Sequence, residues 1–150
     1  DLRPARRQGR QVTLTEQLRR DEGTESCAYQ DSLGYWTIGV GRLIDARKGG
    51  GLSNEEIDYL LDNDIKAKTH EVLRALPWAA RLSEPRRAVL IGMAFQMGLK
   101  GLLAFRRTLG SIEDGHYGEA ALGMLDSTWA KQTPARAMRL ATQMETDQWQ

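Results

Sequence analysis

Leu14 and Leu18 stand four apart in an otherwise polar stretch, which predicts a short amphipathic helix running to about Glu22. Thr13 or Thr15 can cap its start, and Gly23 just beyond Glu22 is a common stop. From Cys27 to Ile44 the period changes. Tyr29, Tyr35, Trp36, Thr37, Ile38 and Val40 are strand formers, and Asp31, Ser32, Gly34, Gly39 and Gly41 fall between them as turn or bulge residues. This predicts a small antiparallel sheet. Residues 45–52, with Gly49, Gly50 and Gly51 in a row, read as a flexible connection. Ser53 and Glu56 then make a capping box, and Ile57, Leu60, Leu61 and Ile65 follow at helical spacing. Val72, Leu73 and Leu76 extend the stripe until Pro77 ends it. A helix of about 24 residues is roughly 36 Å long, enough to join two lobes.

Glu84-Pro85 opens the next helix, and between Ala88 and Met97 nearly every residue is apolar, which predicts burial on all sides. Gly98, Gly101, Gly110, Gly115 and Gly118 punctuate shorter helical pieces. A final helix begins at Thr133-Pro134, a cap followed by proline, and runs through Arg136. The fold class is α+β, mostly helical, with one small sheet.

With 150 residues, 41% of them apolar and 27% charged, the chain can bury a core without a disulfide or a metal. Cys27 is the lone cysteine, so no intrachain disulfide forms, and His70 and His116 are too few for a zinc site. Cys27 reads as a small half-buried strand residue, and the four tryptophans as packing residues, Trp36 with the option of lining a cleft. The net charge of +1 gives no overall pull toward nucleic acid. It is unevenly placed, with Arg3, Arg6, Arg7 and Arg10 against Asp1 in residues 1–11. Residues 1–12 read as a flexible basic arm of linker type, followed by a single domain over 13–150. No run of 18 apolar residues suggests a transmembrane helix, and the start at Asp1 without an apolar signal region reads as a domain cut from something longer.

The sharpest chemistry lies in residues 18–44, LRRDEGTESCAYQDSLGYWTIGVGRLI. Glu22 falls at a helix end, Asp31 at a strand turn and Thr37 on the next strand. Glycoside hydrolysis needs one carboxylic acid to protonate the leaving oxygen and an opposed carboxylate to activate water or to attack. The two carboxyls need different surroundings, and a helix end packed on a core differs from a solvated hairpin turn. A threonine hydroxyl can both accept and donate, which suits holding a water. By composition alone, with 20 acidic residues in the chain, such a trio is also what a solvated helix end and a turn aspartate would produce.

The stretch resembles the active-site signature of phage-type lysozymes (glycoside hydrolase family 24, the T-even phage endolysin group). That signature is a helix ending in Asp-Glu-Gly, an Asp eight intervening residues later, then Gly-Tyr-aromatic-Thr-Ile-Gly-x-Gly. Residues 86–98, RRAVLIGMAFQMG, are similar to the central helix of the family's C-terminal lobe, and 129–139, WAKQTPARAMR, to its arginine segment. The resemblance covers residues 14 to about 149. It implies a lysozyme-like two-lobed fold, a small lobe of about 24–66 and a helical lobe of 13–23 plus 67–150, joined by the long helix. It implies a muramidase cleaving the β-1,4 bond between N-acetylmuramic acid and N-acetylglucosamine, with no cofactor. Glu22 would be the general acid, and Asp31 with Thr37 would position the water. Phe95, Gln96 and Thr108 would line the sugar cleft, and Arg136 would pair with Glu22. The implied partner is a peptidoglycan strand in the bacterial periplasm, met by a monomer, free or within a larger virion protein. No nucleic acid or membrane insertion is implied.

There are departures. Arg42 stands where well-known members carry histidine, with Asp64 as its expected structural partner. Thr108 and Gly123 stand at two polar cleft positions. A lytic transglycosylase, which uses one glutamate, is the competing enzyme, although retention of Asp31 and Thr37 disfavours it. A wall-binding module without catalysis is the competing non-enzyme.

Overall fold

The computed structural model describes residues 12–150, so all but the last residue of the expected basic arm lies outside the described residues. The chain is mostly helical with one three-stranded antiparallel sheet, the expected α+β class. It divides into two compact units, one ending at Ile57 and one from Asp58 to Gln150.

In the first unit, α1 (Leu14–Glu22) starts at a complete capping box. The Thr13 hydroxyl accepts from the Glu16 amide, while the Glu16 carboxylate accepts from the Thr13 amide. Gly23, at φ 79°, turns the chain out of the helix into β1 (Glu25–Gln30). β2 (Trp36–Gly39) lies between β1 and β3 (Arg42–Leu43). The register sets Tyr29 opposite Thr37 and Gln30 opposite Trp36, with an irregularity before Glu25 meets Gly39. Cys27 is exposed rather than half-buried, because its strand lies at the sheet's edge.

The connection after the sheet is ordered, against the expectation of flexibility. Asp45 caps a 3-10 turn over Ala46–Lys48, and Gly49 closes it in the left-handed conformation. The amides of Gly50 and Gly51 then donate to the carbonyls of Asp45 and Leu43. The side chain of Asp45 is the centre of this arrangement. Oδ1 accepts from the Arg47 amide and Nε, while Oδ2 accepts from the Trp36 amide at 3.1 Å and Arg47 Nη2 at 2.7 Å. Arg47 also donates to the Gly34 carbonyl, and its guanidinium lies 5.2 Å from the Tyr35 ring centre. The hydrogen bonds from Arg47 and from the Trp36 amide hold the Asp45 carboxyl well below the usual carboxylate range. Among the described residues of this unit, the two buried side chains are Thr37 and Asp45, both polar.

α2 (Asn54–Ala75) begins with the expected capping box between Ser53 and Glu56. Glu56 has a second task. Both of its carboxylate oxygens accept from the guanidinium of Arg42, which also donates to the Gly51 carbonyl. The partner of Arg42 is therefore Glu56, not Asp64. The capping box brings Glu56 back beside the residues that follow β3, closer along the chain than a site two turns further on.

The second unit packs the rest of α2, α3 (Glu84–Leu103), α4 (Arg106–Glu113), α5 (Tyr117–Leu125), α6 (Thr128–Gln132) and α7 (Pro134–Thr146) around one apolar core. Leu90, Met93, Leu102, Ile112, Met124 and Met144 are its largest fully buried side chains, with Val72 contributed by α2. Gly98, at φ 77° and ψ 165°, breaks α3 as the glycine punctuation predicts. The apolar run 88–97 is not buried all round. It inserts Val89, Leu90, Met93 and Ala94, while Phe95 is 47% exposed. Ala88, Ile91, Gly92 and Met97 are half-buried, and Gln96 is exposed with Phe95. Thr133 stands before α7, but its hydroxyl donates to the Trp129 carbonyl instead of capping the helix. No single helix among the described residues is long and apolar enough to cross a membrane.

Candidate active site

The hairpin between β1 and β2 is built around Asp31. Its backbone amide donates to the Tyr35 carbonyl at 2.9 Å, and its Oδ1 accepts from the amides of Leu33 and Tyr35, each at 2.9 Å. This is the aspartate-led turn that the side chain's short reach favours. One carboxylate oxygen is thus committed to the turn, and Oδ2 receives no hydrogen bond from the described residues. Thr37 is 6% exposed, and its hydroxyl donates to the Tyr35 carbonyl at 3.1 Å. With its proton directed there, Oγ1 presents lone pairs. Asp31 pairs with Tyr35 across the hairpin, two residues before Thr37 of β2, so Asp31 and Thr37 are diagonal neighbours on one face.

Glu22 is the last residue of α1 and is exposed, since α1 buries none of its residues. The expected helix end packed on a core is not what surrounds it. Its carboxyl instead lies against the turn between β2 and β3. A Cβ added at Gly41 would stand 3.0 Å from Oε2 of Glu22. Gly41 also holds φ +68°, which side-chain-bearing residues rarely adopt. The first unit therefore supplies Glu22, Asp31 and Thr37 on one small scaffold: a helix end, a hairpin turn and a central strand.

Sequence reasoning missed three residues here. Asp45 and Arg47 clamp Gly34 and Trp36, the residues on either side of Tyr35 that give the Asp31 turn its shape. Gly41 leaves the room that the Glu22 carboxyl uses. An aspartate followed by a short segment and a glycine is a recognisable cap-and-stop signal, here masked by three successive glycines.

The second unit carries the other expected site residues. Phe95 and Gln96 sit on α3, and Gln96 is exposed, its Oε1 accepting from Trp129 Nε1 at 3.0 Å. The Trp129 ring meets Phe105 edge to face, with centroids 6.1 Å apart. Trp129 and Phe105 line a cavity of about 600 Å³, whose wall also includes Thr108 and Gly123. A Cβ at Gly123 would stand 2.6 Å from the Thr108 hydroxyl, so the threonine occupies the space that a side chain at 123 would need. Arg136 is exposed on α7. No cluster of histidine, cysteine or acidic residues among those described could hold a metal ion.

The chain is 29% identical over 161 residues to Probable T4-type lysozyme 1 of Dictyostelium discoideum, covering 89% of this chain and 94% of the relative. It is 30% identical over 156 residues to the Pre-baseplate central spike protein Gp5 of Enterobacteria phage T4, covering 86% of this chain but 27% of that protein. Peptidoglycan hydrolase gp36 of Pseudomonas phage phiKMV is 29% identical over 129 residues, a match spanning 81% of this chain and 14% of the phage protein. Residues 19–143, the greater part of both units, match the Phage lysozyme family. The signature around Glu22, Asp31 and Thr37 and the mostly helical α+β fold agree with that match, and the chain belongs to the phage lysozyme family.

Proposed function

We propose that this chain is a muramidase that hydrolyses the β-1,4 bond between N-acetylmuramic acid and N-acetylglucosamine in peptidoglycan, with inversion. The observation that carries the reading is the hydrogen-bond state of the hairpin: Asp31 keeps Oδ2 open, and the Thr37 hydroxyl directs its proton to Tyr35. A water can donate one hydrogen to each of these acceptors, which leaves an oxygen lone pair for attack. Glu22 gives its proton to the glycosidic oxygen as the bond to C1 breaks. The water oxygen bonds to C1 from the opposite face, and its proton passes to Asp31. The family membership and the peptidoglycan hydrolase among its relatives support this substrate, and with it action at the bacterial cell wall. Phe95, Gln96, Thr108 and Arg136 are the proposed contacts on the second unit. The similarity to part of a virion spike protein supports a role within a larger phage protein as well as a free one.

Product stereochemistry tests the mechanism. An inverting enzyme acting on a β-linked chain releases an α-configured reducing end, and proton NMR recorded before mutarotation should show that signal first. An early β signal would make Asp31 a nucleophile, and a 1,6-anhydro end would mean a transglycosylase.

Gly41 gives a second expected outcome. Gly41→Ala should cost about 1–2 kcal/mol in left-handed backbone strain and push the Glu22 carboxyl aside. Turnover of a wall suspension should therefore fall further than stability alone accounts for, at a temperature where the variant remains folded. Full turnover by the folded variant would show that the Glu22 carboxyl does not depend on the space beside Gly41.

A further inference from the structure

Two peptide groups meet at Tyr35, and each holds one member of the Asp31–Thr37 pair. In the first, the Tyr35 amide donates to Asp31 Oδ1 at 2.9 Å. In the second, the Tyr35 carbonyl accepts from the Thr37 hydroxyl at 3.1 Å and from the Asp31 amide at 2.9 Å. The far ends of both groups belong to one ion pair. Arg47 Nη2 donates at 3.0 Å to the Gly34 carbonyl, which shares its peptide group with the Tyr35 N–H. Asp45 Oδ2 accepts at 3.1 Å from the Trp36 amide, which shares its peptide group with the Tyr35 carbonyl.

The charges at these far ends have matching signs. A guanidinium drawing on the Gly34 oxygen makes the N–H of the same amide a stronger donor, and that N–H faces a carboxylate. A carboxylate drawing on the Trp36 N–H makes the carbonyl of the same amide a stronger acceptor, and that carbonyl faces a hydroxyl proton. Exchanging the two charges would weaken both bonds. Capping the 3-10 turn does not require this arrangement, since the bond from the Arg47 amide to Asp45 Oδ1 suffices. Nor does the sheet require it. The Ile44 amide donates to the Trp36 carbonyl at 3.0 Å, and an ordinary antiparallel ladder would return a backbone carbonyl to the Trp36 amide. Asp45, 5% exposed, supplies a carboxylate there instead. Arg47 and Lys48 also lie 5.2 and 4.8 Å from the centre of the Tyr35 ring, so the same segment holds the side chain of the same residue.

We propose that Asp45 and Arg47 are positioning residues for the hydrolytic step, holding and polarising, through the two peptide groups at Tyr35, the acceptors that take the water. The proposal rests on the water-holding role given above to Asp31 and Thr37. Arg47 acts on Asp31 through the Tyr35 N–H, and Asp45 acts on Thr37 through the Tyr35 carbonyl. Losing either should lower kcat and leave KM in place, because the water depends on the two acceptors and the glycan does not.

Two readouts test the pair. In the ¹³C,¹⁵N-labelled chain, Arg47→Gln should move the Tyr35 amide proton upfield, the direction of a weaker hydrogen bond. Asp45→Asn should move the Tyr35 carbonyl carbon upfield for the same reason. Kinetics on soluble glycan strands, run well below each variant's melting temperature, should show kcat lower by about 10-fold to 10²-fold with KM within about twofold. Arg47→Lys returns the charge and a donor, and should recover part of both kcat and the Tyr35 amide shift. Glu56→Gln, which removes the charge paired with Arg42 in the same unit, should leave kcat unchanged. Should Asp45→Asn fail to fold, Arg47→Gln carries the test alone, since the Arg47 side chain is 66% exposed. Wild-type kcat in folded Arg47→Gln, an unmoved Tyr35 amide, or an equal loss of kcat in Glu56→Gln would overturn the proposal. Asp31→Asn separates it from the reading beneath it. Cleavage by Asp31→Asn at the wild-type rate would remove the water-holding role and the proposal together. An inactive Asp31→Asn beside fully active Arg47→Gln would remove the proposal alone.

Discussion

Glu22→Gln is expected to lower glycan cleavage by at least about 10²–10⁴-fold, the range that a positioned general acid contributes. The amide keeps the shape of the side chain and removes the proton that the leaving oxygen requires. Glu22 is exposed at the end of α1, so the change should leave the melting temperature close to wild type. Clearing of a peptidoglycan suspension measures the rate, and circular dichroism measures the fold. A folded variant retaining a tenth of the wild-type rate would remove Glu22 from the acid role. It would also revive the reading of the chain as a wall-binding module.

The largest effect on stability should come from a residue outside the site. Gly50→Ala places a Cβ 2.8 Å from the Asp45 amide nitrogen and the Leu43 carbonyl oxygen, and 2.9 Å from the Ile44 carbonyl carbon. All three atoms are backbone, so no side chain can rotate away. The substitution must instead open the turn that Asp45 caps, at a cost of about 1–3 kcal/mol or more. Gly101→Ala provides the contrast. It also meets an atom at 2.7 Å, but that atom belongs to the flexible Met97 side chain. Urea unfolding should place the Gly50 variant well below the Gly101 variant. Equal midpoints would mean that the turn after β3 yields more easily than its close contacts imply.

The elements most legible in the sequence were those set by short-range chemistry. Two capping boxes, the stop at Gly23, the break at Gly98 and the strand-forming run after Cys27 all depend on residues within a few places of each other. Burial was harder to read. The run 88–97 is nearly all apolar, yet how many of its faces meet a core is decided by distant segments, and Phe95 stays exposed. Arg42 shows the same limit, since either Asp64 or Glu56 is a plausible acid and only the fold of the Ser53 capping box selects Glu56. For the candidate site, the proposal of Glu22, Asp31 and Thr37 rests on a signature that is local. The clamp made by Asp45 and Arg47 was hidden because it joins two segments through a turn that its glycines made look unstructured.

Thr37 and Asp45, the two buried side chains among the described residues of the first unit, have consequences for how this protein yields to acid. Apolar burial does not respond to protons, but the Asp45 clamp does. The folded chain holds the Asp45 carboxyl below its ordinary value, so its contribution is complete above that ordinary value. The contribution then fades as pH falls through the lowered one. The helical core around Leu90 and Met124 has no such dependence built into it. Acid below the ordinary carboxylate range should therefore raise amide hydrogen exchange in the sheet through local opening while the helices stay protected. The hairpin that carries Asp31 becomes a separate exchange unit, one that loses its alignment before the chain loses its fold.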